Sequence, residues 1–129
     1  MPVIEIESYD QFYDIIMNEG ETKHNYEHVI VDFYGKNCPP CTVFAPTFDE
    51  LSEIYENEPV CFLKINIQKN DVNDVAFDYG IKNIPTFMFF DVGNKTQLDG
   101  TIVGIKTARE SIEERIKIWT GKVNITEDF

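Results

Sequence analysis

The chain has 129 residues, 43% of them hydrophobic, which suffices for one domain with a sizeable core and is too short for two. Its formal net charge is −12, so nucleic acids and anionic membranes would be repelled, and partners with neutral or basic faces are favoured. No basic and apolar leader follows Met1, no apolar run approaches a membrane span, and three cysteines do not form the framework of a small secreted protein. We therefore expect a cytoplasmic protein.

The first part of the chain alternates between strand and helix patterns. Residues 3–7 alternate apolar and acidic side chains, which predicts a short strand. Ser8 and Gln11 form a capping-box pattern that begins a first helix, which should run to about Asn18 with Gly20 as its stop. A continuous apolar run at 29–34, interrupted by a single acid, predicts a central strand that is covered on both faces.

The middle of the chain continues the alternation. Apolar residues at helical spacing predict an amphipathic helix over 38–55. A strand follows at 60–67. Asn70 or Asp71 is placed to cap a short third helix, which Gly80 closes.

The last part predicts two strands and a helix. A very apolar strand spans 86–91, and a second strand at 97–103 pairs back with it, with a bulge at Gly100. Thr107 and Glu110 form a second capping box at the start of the final helix. The order βαβαβαββα predicts an α/β fold, with a mixed sheet of about five strands flanked by about four helices. We expect this domain to cover 1–121 and to leave a polar tail at 122–129.

Two cysteines lie where the central strand ends and the second helix begins. Cys38 is at the expected helix N-cap, where free N–H groups and the helix dipole favour an anion such as a thiolate. We expect Cys38 to be the exposed, attacking thiolate and Cys41 to be the sheltered thiol that resolves the mixed disulfide. Pro39 and Pro40 have no N–H, so Cys41 is left as the main early donor to the Cys38 sulfur.

Four short motifs resemble those of the thioredoxin family in order and spacing: VDF at 31–33, CPPC at 38–41, AP at 45–46 and IPT at 84–86. The resemblance covers roughly residues 3–120. It implies the thioredoxin fold and a dithiol reductase of disulfide-containing proteins, recycled by an NADPH-dependent thioredoxin reductase. No cofactor site is visible in the chain, and we expect a monomer. Asn37 stands where the family usually has Trp, and Pro39 where it has Gly.

Asp32 is the acid inside the central strand. Burial of an isolated carboxylate is costly, so the pKa of Asp32 should be raised, which would let it carry a proton to and from Cys41 during resolution. This matches the buried acid of the family. In the alternative interpretation Asp32 caps a turn or pairs with Lys64 on the next strand, and a Lys64 partner would moderate the pKa shift.

The resemblance also implies a docking groove for the substrate. Pro85 matches the family's cis-proline facing the cysteines, and the backbone of Ile84 would pair with an extended substrate strand. Gly104 matches a small residue on the docking rim. Tyr34 takes the place of a family aromatic beneath the site, with simple core packing as the alternative.

Two other functions remain open on the sequence. A disulfide oxidase or isomerase would use the same cysteines in an oxidising compartment. A non-catalytic thioredoxin-fold adaptor would bind a partner at the groove near Pro85, and the changed surroundings of Cys38, with Asn37 before it, motivate this alternative.

A zinc site is the remaining chemical alternative. His24 and His28 could join the cysteine pair as ligands, but the strand between the pairs spans roughly 20 Å. We therefore expect solvated loop histidines and no metal site. Cys61 lies in an apolar strand and is expected to be an inert core residue.

Overall fold

The computed structural model describes residues 3–21 and 23–122. Five strands and four helices alternate in these ranges: β1 (Val3–Glu5), α1 (Tyr9–Met17), β2 (His28–Tyr34), α2 (Pro39–Ile54), β3 (Val60–Asn66), α3 (Asn73–Asp78), β4 (Thr86–Asp91), β5 (Ile102–Val103) and α4 (Ala108–Trp119). Across the described residues, no helix is both long and apolar enough for a membrane span. The predicted tail at 122–129 lies outside the described residues except for Lys122.

The strands form one mixed sheet in the order β1-β3-β2-β4-β5. Strands β1, β3 and β2 are parallel, whereas β4 runs antiparallel to β2, and β5 antiparallel to β4. The predicted mixed sheet of about five strands and four helices is therefore confirmed. The carboxyl end of the central strand β2 lies at the sheet edge where α2 begins. Open α/β sheets place their ligand-binding and active sites at this edge.

The central strand divides its side chains between two hydrophobic cores. Val29, Val31 and Phe33 face the core beneath α1 and α3, whereas Ile30 faces the core beneath α2 and α4. Because side chains alternate along a strand, Asp32 lies on the same face as Ile30. This alternation places an acid beneath the first turn of α2.

The start of α1 agrees with its predicted capping box. The Ser8 hydroxyl accepts the Gln11 N–H at 3.1 Å, and the Gln11 side chain accepts the Glu7 N–H at 2.6 Å. Because Glu7 bonds to the helix rather than to a neighbouring strand, β1 ends at Glu5, two residues before the predicted end. Helix α1 ends at about Asn18 as predicted, but Gly20 does not supply the stop: Asn18 itself adopts the left-handed conformation (φ 56°), which asparagine tolerates better than most residues.

The predicted cap of α3 is wrong, and the predicted cap of α4 is correct in position only. Val72, rather than Asn70 or Asp71, is the N-cap of α3, and it makes no side-chain capping bond. Thr107 is the N-cap of α4, but its side chain makes no capping bond either. A capping side chain normally extends from a backbone in the β region, whereas Val72 (φ −129°, ψ −4°) and Thr107 (φ −118°, ψ 10°) are not extended.

The last strand is much shorter than the predicted 97–103. Gly100 lies before β5, in a conformation with φ 97° that does not belong to a strand, so the predicted bulge is wrong. The Leu98 N–H bonds to the Phe89 carbonyl at 2.7 Å, which holds this segment beside β4 without a continuous ladder. The pairing resumes only at β5, next to the start of β4.

Candidate functional site

Helix α2 begins at the two cysteines. Cys38 has an extended backbone (φ −123°, ψ 94°), and its sulfur accepts the Cys41 N–H at 3.3 Å. Pro39 and Pro40 occupy the first two helical positions, so Cys41 is the first residue of the helix with an N–H to donate, as predicted. The two cysteines are joined in a disulfide with their Cα atoms 5.3 Å apart. The site is therefore a dithiol–disulfide pair at a helix N-terminus.

The two cysteines do not differ in exposure in this oxidised form. Each is 7% exposed. The disulfide covers each sulfur with the other, and the Ile84 carbonyl oxygen lies 3.8 Å from the Cys38 sulfur. The expectation of an exposed Cys38 beside a sheltered Cys41 is therefore wrong for the oxidised protein. The order of attack rests on the N-cap position of Cys38 instead.

Asp32 is buried beneath this pair without a hydrogen-bond partner for one of its oxygens. It is 7% exposed, and its Oδ1 atom has no partner among the described residues. Burial raises the pKa of Asp32 to about 7, while the Lys64 ammonium opposes this rise and the Glu5 carboxylate adds to it. A carboxyl group with this pKa both holds and releases a proton near neutral pH.

Lys64 stands opposite Asp32 in the register of β2 and β3 but makes its ion pair elsewhere. Its ammonium lies 3.7 Å from Glu5 Oε1 and 5.6 Å from the centre of the Tyr34 ring. The Tyr34 hydroxyl donates a hydrogen bond to the same Glu5 oxygen at 2.8 Å. The alternative in which Asp32 is neutralised by direct pairing with Lys64 is therefore wrong, although Lys64 does moderate its pKa as expected.

A small cavity of about 40 Å³ connects the acid with the second cysteine. This volume is enough for a single water molecule, which is the size of group that a proton relay uses. Its lining combines the buried acid, one cysteine, and polar and apolar side chains from three elements: Asp32, Tyr34, Cys41, Ala45, Phe48, Asp49 and Lys64. Tyr34 thus lines the cavity that Asp32 shares with Cys41.

The loop before β4 approaches the disulfide from the other side. The Ile84–Pro85 peptide bond is cis, as the resemblance implies. The Pro85 carbonyl accepts the Gly104 N–H at 2.8 Å, which fixes the residues around Gly104 beside the loop. Gly104 has a φ of 83° and leaves open space where a side chain would begin. Ile84, Pro85 and Gly104, the positions predicted for substrate docking, are thus connected to one another beside Cys38.

Comparison with known proteins gives the family. A sequence model of the Thioredoxin family matches residues 4–118. The chain belongs to the thioredoxin family. It is 37% identical over 112 residues to a thioredoxin of Equus caballus, a match that covers 80% of this chain and 98% of that protein. A thioredoxin-like protein of Fusarium culmorum is 40% identical over 77 residues, which cover 59% of this chain and 62% of that protein.

A solved structure of Malassezia sympodialis thioredoxin superimposes with a TM-score of 0.71 at 29% identity, covering 89% of this chain and 88% of the other. Thioredoxins are thiol–disulfide oxidoreductases, and this thioredoxin-family chain has the paired cysteines that the activity requires. Its fold and the positions of Cys38 and Cys41 thus agree with family membership.

Three residues of the site were not singled out from the sequence. Glu5 takes up the Lys64 ammonium and the Tyr34 hydroxyl. The Gln68 side chain accepts the N–H of Lys36 at 2.6 Å, which holds the turn before Cys38. A side-chain carbon added at Gly35 would lie 2.9 Å from Ile84 Cδ1 and 3.0 Å from Gln68 Oε1, so a larger residue there would displace the ends of these two side chains. Glu5 could have been found from the sequence as an acid in the first predicted strand. The contacts of Gln68 and Gly35 could not, because they depend on how loops pack.

The two histidines lie away from the cysteines of this thioredoxin-family chain. His24 lies in the loop before β2, with its Nε2 2.8 Å from the Ile15 carbonyl of α1. His28 begins β2, contacts Asp91 at 2.8 Å and stacks on Trp119, so the expectation of a solvated loop residue is wrong for His28. His24 does lie in a loop, but it is half-buried. The described residues contain no group of three or more His, Cys, Asp or Glu side chains that could hold a metal ion.

The third cysteine lies in the core. Cys61 is 2% exposed in β3, and burial raises the pKa of its thiol to about 12. A buried thiol with this pKa is almost entirely protonated at neutral pH and is a poor nucleophile. The structure thus agrees with the prediction of a core position for Cys61.

Proposed function

We propose that this chain reduces protein disulfides by dithiol–disulfide exchange, with Cys38 as the attacking thiolate and Cys41 as the resolving thiol. The observation that carries the proposal is the disulfide at the start of α2, in which the Cys38 sulfur occupies the N-cap position and accepts the Cys41 N–H. An N-cap sulfur is stabilised as a thiolate by this hydrogen bond and by the helix dipole.

The reaction proceeds in two exchanges that balance in electrons and protons. The Cys38 thiolate attacks one sulfur of the substrate disulfide, and the other sulfur leaves as a thiolate that takes a proton from solvent. Cys41 then loses its proton and attacks the Cys38 sulfur. The second substrate sulfur leaves as a thiolate and is protonated. The substrate has gained two electrons and two protons, and the chain has become the Cys38–Cys41 disulfide.

Asp32 is the base for the second exchange in this proposal. It lines the same cavity as Cys41, it is buried, and one of its oxygens has no other hydrogen-bond partner in the described chain. As a carboxylate, Asp32 accepts the Cys41 proton, directly or through one water, and so prepares Cys41 to attack. Its pKa of about 7 makes this transfer reversible at neutral pH.

The groove bordered by Ile84, Pro85 and Gly104 holds the substrate in this proposal. The Ile84 carbonyl lies 3.8 Å from the Cys38 sulfur, so a substrate strand paired with the Ile84 backbone would bring its own cysteine to that sulfur. The Gly104 N–H already bonds to Pro85, which keeps the rim in place. Backbone pairing is compatible with many sequences, as reduction of varied protein disulfides requires.

The wider role follows from the same chemistry. We propose that an NADPH-dependent thioredoxin reductase returns the disulfide to the dithiol, that the chain acts as a cytoplasmic monomer, and that it serves electron transport and cell redox homeostasis. Family membership and a net charge of −12 support a diffusing carrier of this kind.

Trapping of the mixed disulfide tests the residue roles. Cys41→Ser in a Cys61→Ser background should accumulate a covalent adduct with a disulfide substrate through Cys38. The matched Cys38→Ser variant should accumulate far less, because Cys41 lacks the N-cap position. Insulin reduction by the parent, with dithiothreitol as electron donor, separates an enzyme from an adaptor. Equal trapping by the two serine variants would reject the assigned order of attack.

The redox potential decides between a reductase and an oxidase or isomerase. Equilibration of the Cys38–Cys41 pair with glutathione redox buffers measures this potential. A reducing potential, near that of thioredoxins at about −270 mV, is expected. A value as oxidising as those of dedicated oxidases, at about −120 mV, would instead favour the oxidase alternative.

A further inference from the structure

Three segments that meet at the disulfide carry lysines and no acids. Residues 35–43 contain the cysteines, 81–87 contain the proline loop, and 102–107 contain the rim glycine. Contacts join them: Ile84 O lies 3.8 Å from the Cys38 sulfur, and Gly104 N–H bonds to the Pro85 carbonyl. The chain has 23 acidic and 11 basic residues, yet these segments contain one lysine each and not a single Asp or Glu.

The three lysines, Lys36, Lys82 and Lys106, are named here the lysine rim. All three are exposed, and none has a carboxylate within ion-pair distance among the described residues. Lys69 and Lys122, by contrast, are paired with Glu7 and Glu58. The lysine rim therefore presents positive charge that the protein itself does not neutralise.

The lysine rim is close enough to the groove to act on a docked chain. Lys36 is two residues from Cys38, Lys82 two residues from Ile84, and Lys106 two residues from Gly104. Two residues span about 7 Å at most, and a lysine side chain is long and flexible. The Debye length at physiological ionic strength is about 8 Å, so each ammonium can act on charges that flank a docked substrate cysteine.

We propose that the lysine rim selects protein substrates whose reactive disulfide is flanked by carboxylates. This inference rests on the proposed reductase function and names the class of disulfide that the groove accepts best. The net charge of −12 favours partners with neutral or basic faces over the surface as a whole, whereas the three segments of the lysine rim carry lysines and no acids. Exposed charges further away than a Debye length are largely screened at physiological salt. Asp32 is buried, with 7% of its surface exposed.

Single-turnover kinetics test the inference without a reductase. The reduced protein is mixed with three disulfide peptides of equal length, in which the residues flanking the cysteine are aspartates, lysines or uncharged serines. At physiological ionic strength the aspartate peptide should react roughly tenfold faster than the lysine peptide. The preference should disappear at about 1 M salt, where the Debye length is about 3 Å.

A matched pair of triple variants isolates the lysine rim. The rim triple combines Lys36→Gln, Lys82→Gln and Lys106→Gln. It should remove most of the preference for the aspartate peptide. The control triple combines Lys23→Gln, Lys95→Gln and Lys117→Gln and changes the net charge by the same amount. These lysines lie in the loop before β2, in the turn after β4 and in the last turn of α4, respectively. This control triple should keep the parent's preference.

The possible outcomes distinguish a failure of this inference from a failure of the proposed reductase function. Equal rates for the aspartate and lysine peptides, with the serine peptide still reduced, would overturn the proposed selectivity of the lysine rim. The proposed reductase function would stand. Loss of the preference in both triples would also overturn it, because net charge and not position would then control the rate. Failure to reduce even the serine peptide would overturn the proposed function, and the inference with it.

Discussion

The Lys64 ammonium lies 3.7 Å from the Glu5 carboxylate, although Lys64 stands opposite Asp32 in the sheet. The register places Glu5, Lys64 and Asp32 in one row across β1, β3 and β2. Glu5 thus draws the cation towards the outer strand, and one oxygen of the buried Asp32 is left without a hydrogen-bond partner in the described chain. The carboxylate of the first strand therefore helps to keep the site acid protonated near neutral pH.

Glu5→Gln should lower the pKa of Asp32 by roughly half a unit to one unit. The substitution removes a negative charge that raises this pKa, and it frees Lys64 to turn towards Asp32, so both effects act in the same direction. Carboxyl-detected NMR titration of the oxidised protein would measure the shift. The acid limb of the pH–rate profile for resolution should move to lower pH with it.

Two further variants control this result. Glu7→Gln removes another acid that is paired with a lysine, two residues beyond the end of β1, and should leave the Asp32 pKa unchanged. Tyr34→Phe removes the hydroxyl that bonds Glu5 but no charge at neutral pH, and should have a smaller effect than Glu5→Gln. If Glu7→Gln shifts the pKa of Asp32 as much as Glu5→Gln does, the effect is not specific to the position of Glu5.

Asp32→Asn should stabilise the protein at alkaline pH and not at acid pH. Between the unfolded value of 3.8 and a folded pKa of about 7, the folded protein holds a proton that the unfolded chain has lost. The free energy of unfolding of the parent therefore falls as the pH rises through this window, by roughly 4 kcal/mol in total. The asparagine variant has no charge to bury at this position. Urea unfolding should show a gain of roughly 2–4 kcal/mol near pH 8 and almost none near pH 4.

The same substitution should slow resolution, because the base for Cys41 is lost. Asp49→Asn is the matched control, since Asp49 lines the same cavity but is exposed. It should change neither the pH dependence of stability nor the rate of resolution. An Asp32→Asn protein that is less stable than the parent near pH 8 and resolves at the parental rate would assign Asp32 a purely structural role.

Features that depend on neighbouring residues in the sequence could be predicted. The cap formed by Cys38 follows from a strand that ends just before an amphipathic run, and the burial of Asp32 follows from the apolar residues on both sides of it. Local pattern is therefore enough to place the cysteine pair and its acid. The approach of the motif at 84–86 to Cys38 was predicted from the family resemblance, because spacing in the sequence alone does not indicate this contact.

Features that depend on the packing of distant segments could not be predicted. The partner of Lys64 is set by the register of β1 against β3, which no local pattern encodes. The contact of Gln68 with the turn before Cys38 depends on how two loops meet. The equal exposure of the cysteines depends on their oxidation state, and the late start of β5 depends on Gly100, which has a positive φ.

Reduction of the disulfide should leave the emission of the single tryptophan almost unchanged. Trp119 stacks on the His28 ring, with centroids 4.3 Å apart, at the start of β2. The disulfide lies beyond the other end of this strand, roughly 20 Å away at about 3.3 Å per residue. Steady-state fluorescence before and after dithiothreitol would check this. In a Pro40→Trp variant the added exposed indole lies beside the cysteines, so its emission should rise on reduction, and a large change in the parent would contradict the placement of Trp119.

The two prolines of the motif should affect the Cys38 thiolate unequally. An N-cap acceptor receives hydrogen bonds from the N–H groups of the second and third helical residues, and here only the third, Cys41, has one. Pro40→Ala restores an N–H at the second position, so it should lower the pKa of Cys38 by roughly half a unit to one unit. Pro39→Ala restores an N–H at the first position, which is directed less towards the cap, and should lower the pKa less.

Thiolate absorbance in a Cys41→Ser background measures this difference, because Cys38 is then the one active-site thiol and the pKa of Cys61, at about 12, lies above the titration range. The two alanine variants remove the same ring and add the same methyl group, so each is the control for the other. An equal shift in both would mean that the loss of proline rigidity, rather than the position of the restored N–H, controls the thiolate. A larger shift for Pro39→Ala would mean that the capping geometry does not control the stability of the Cys38 thiolate.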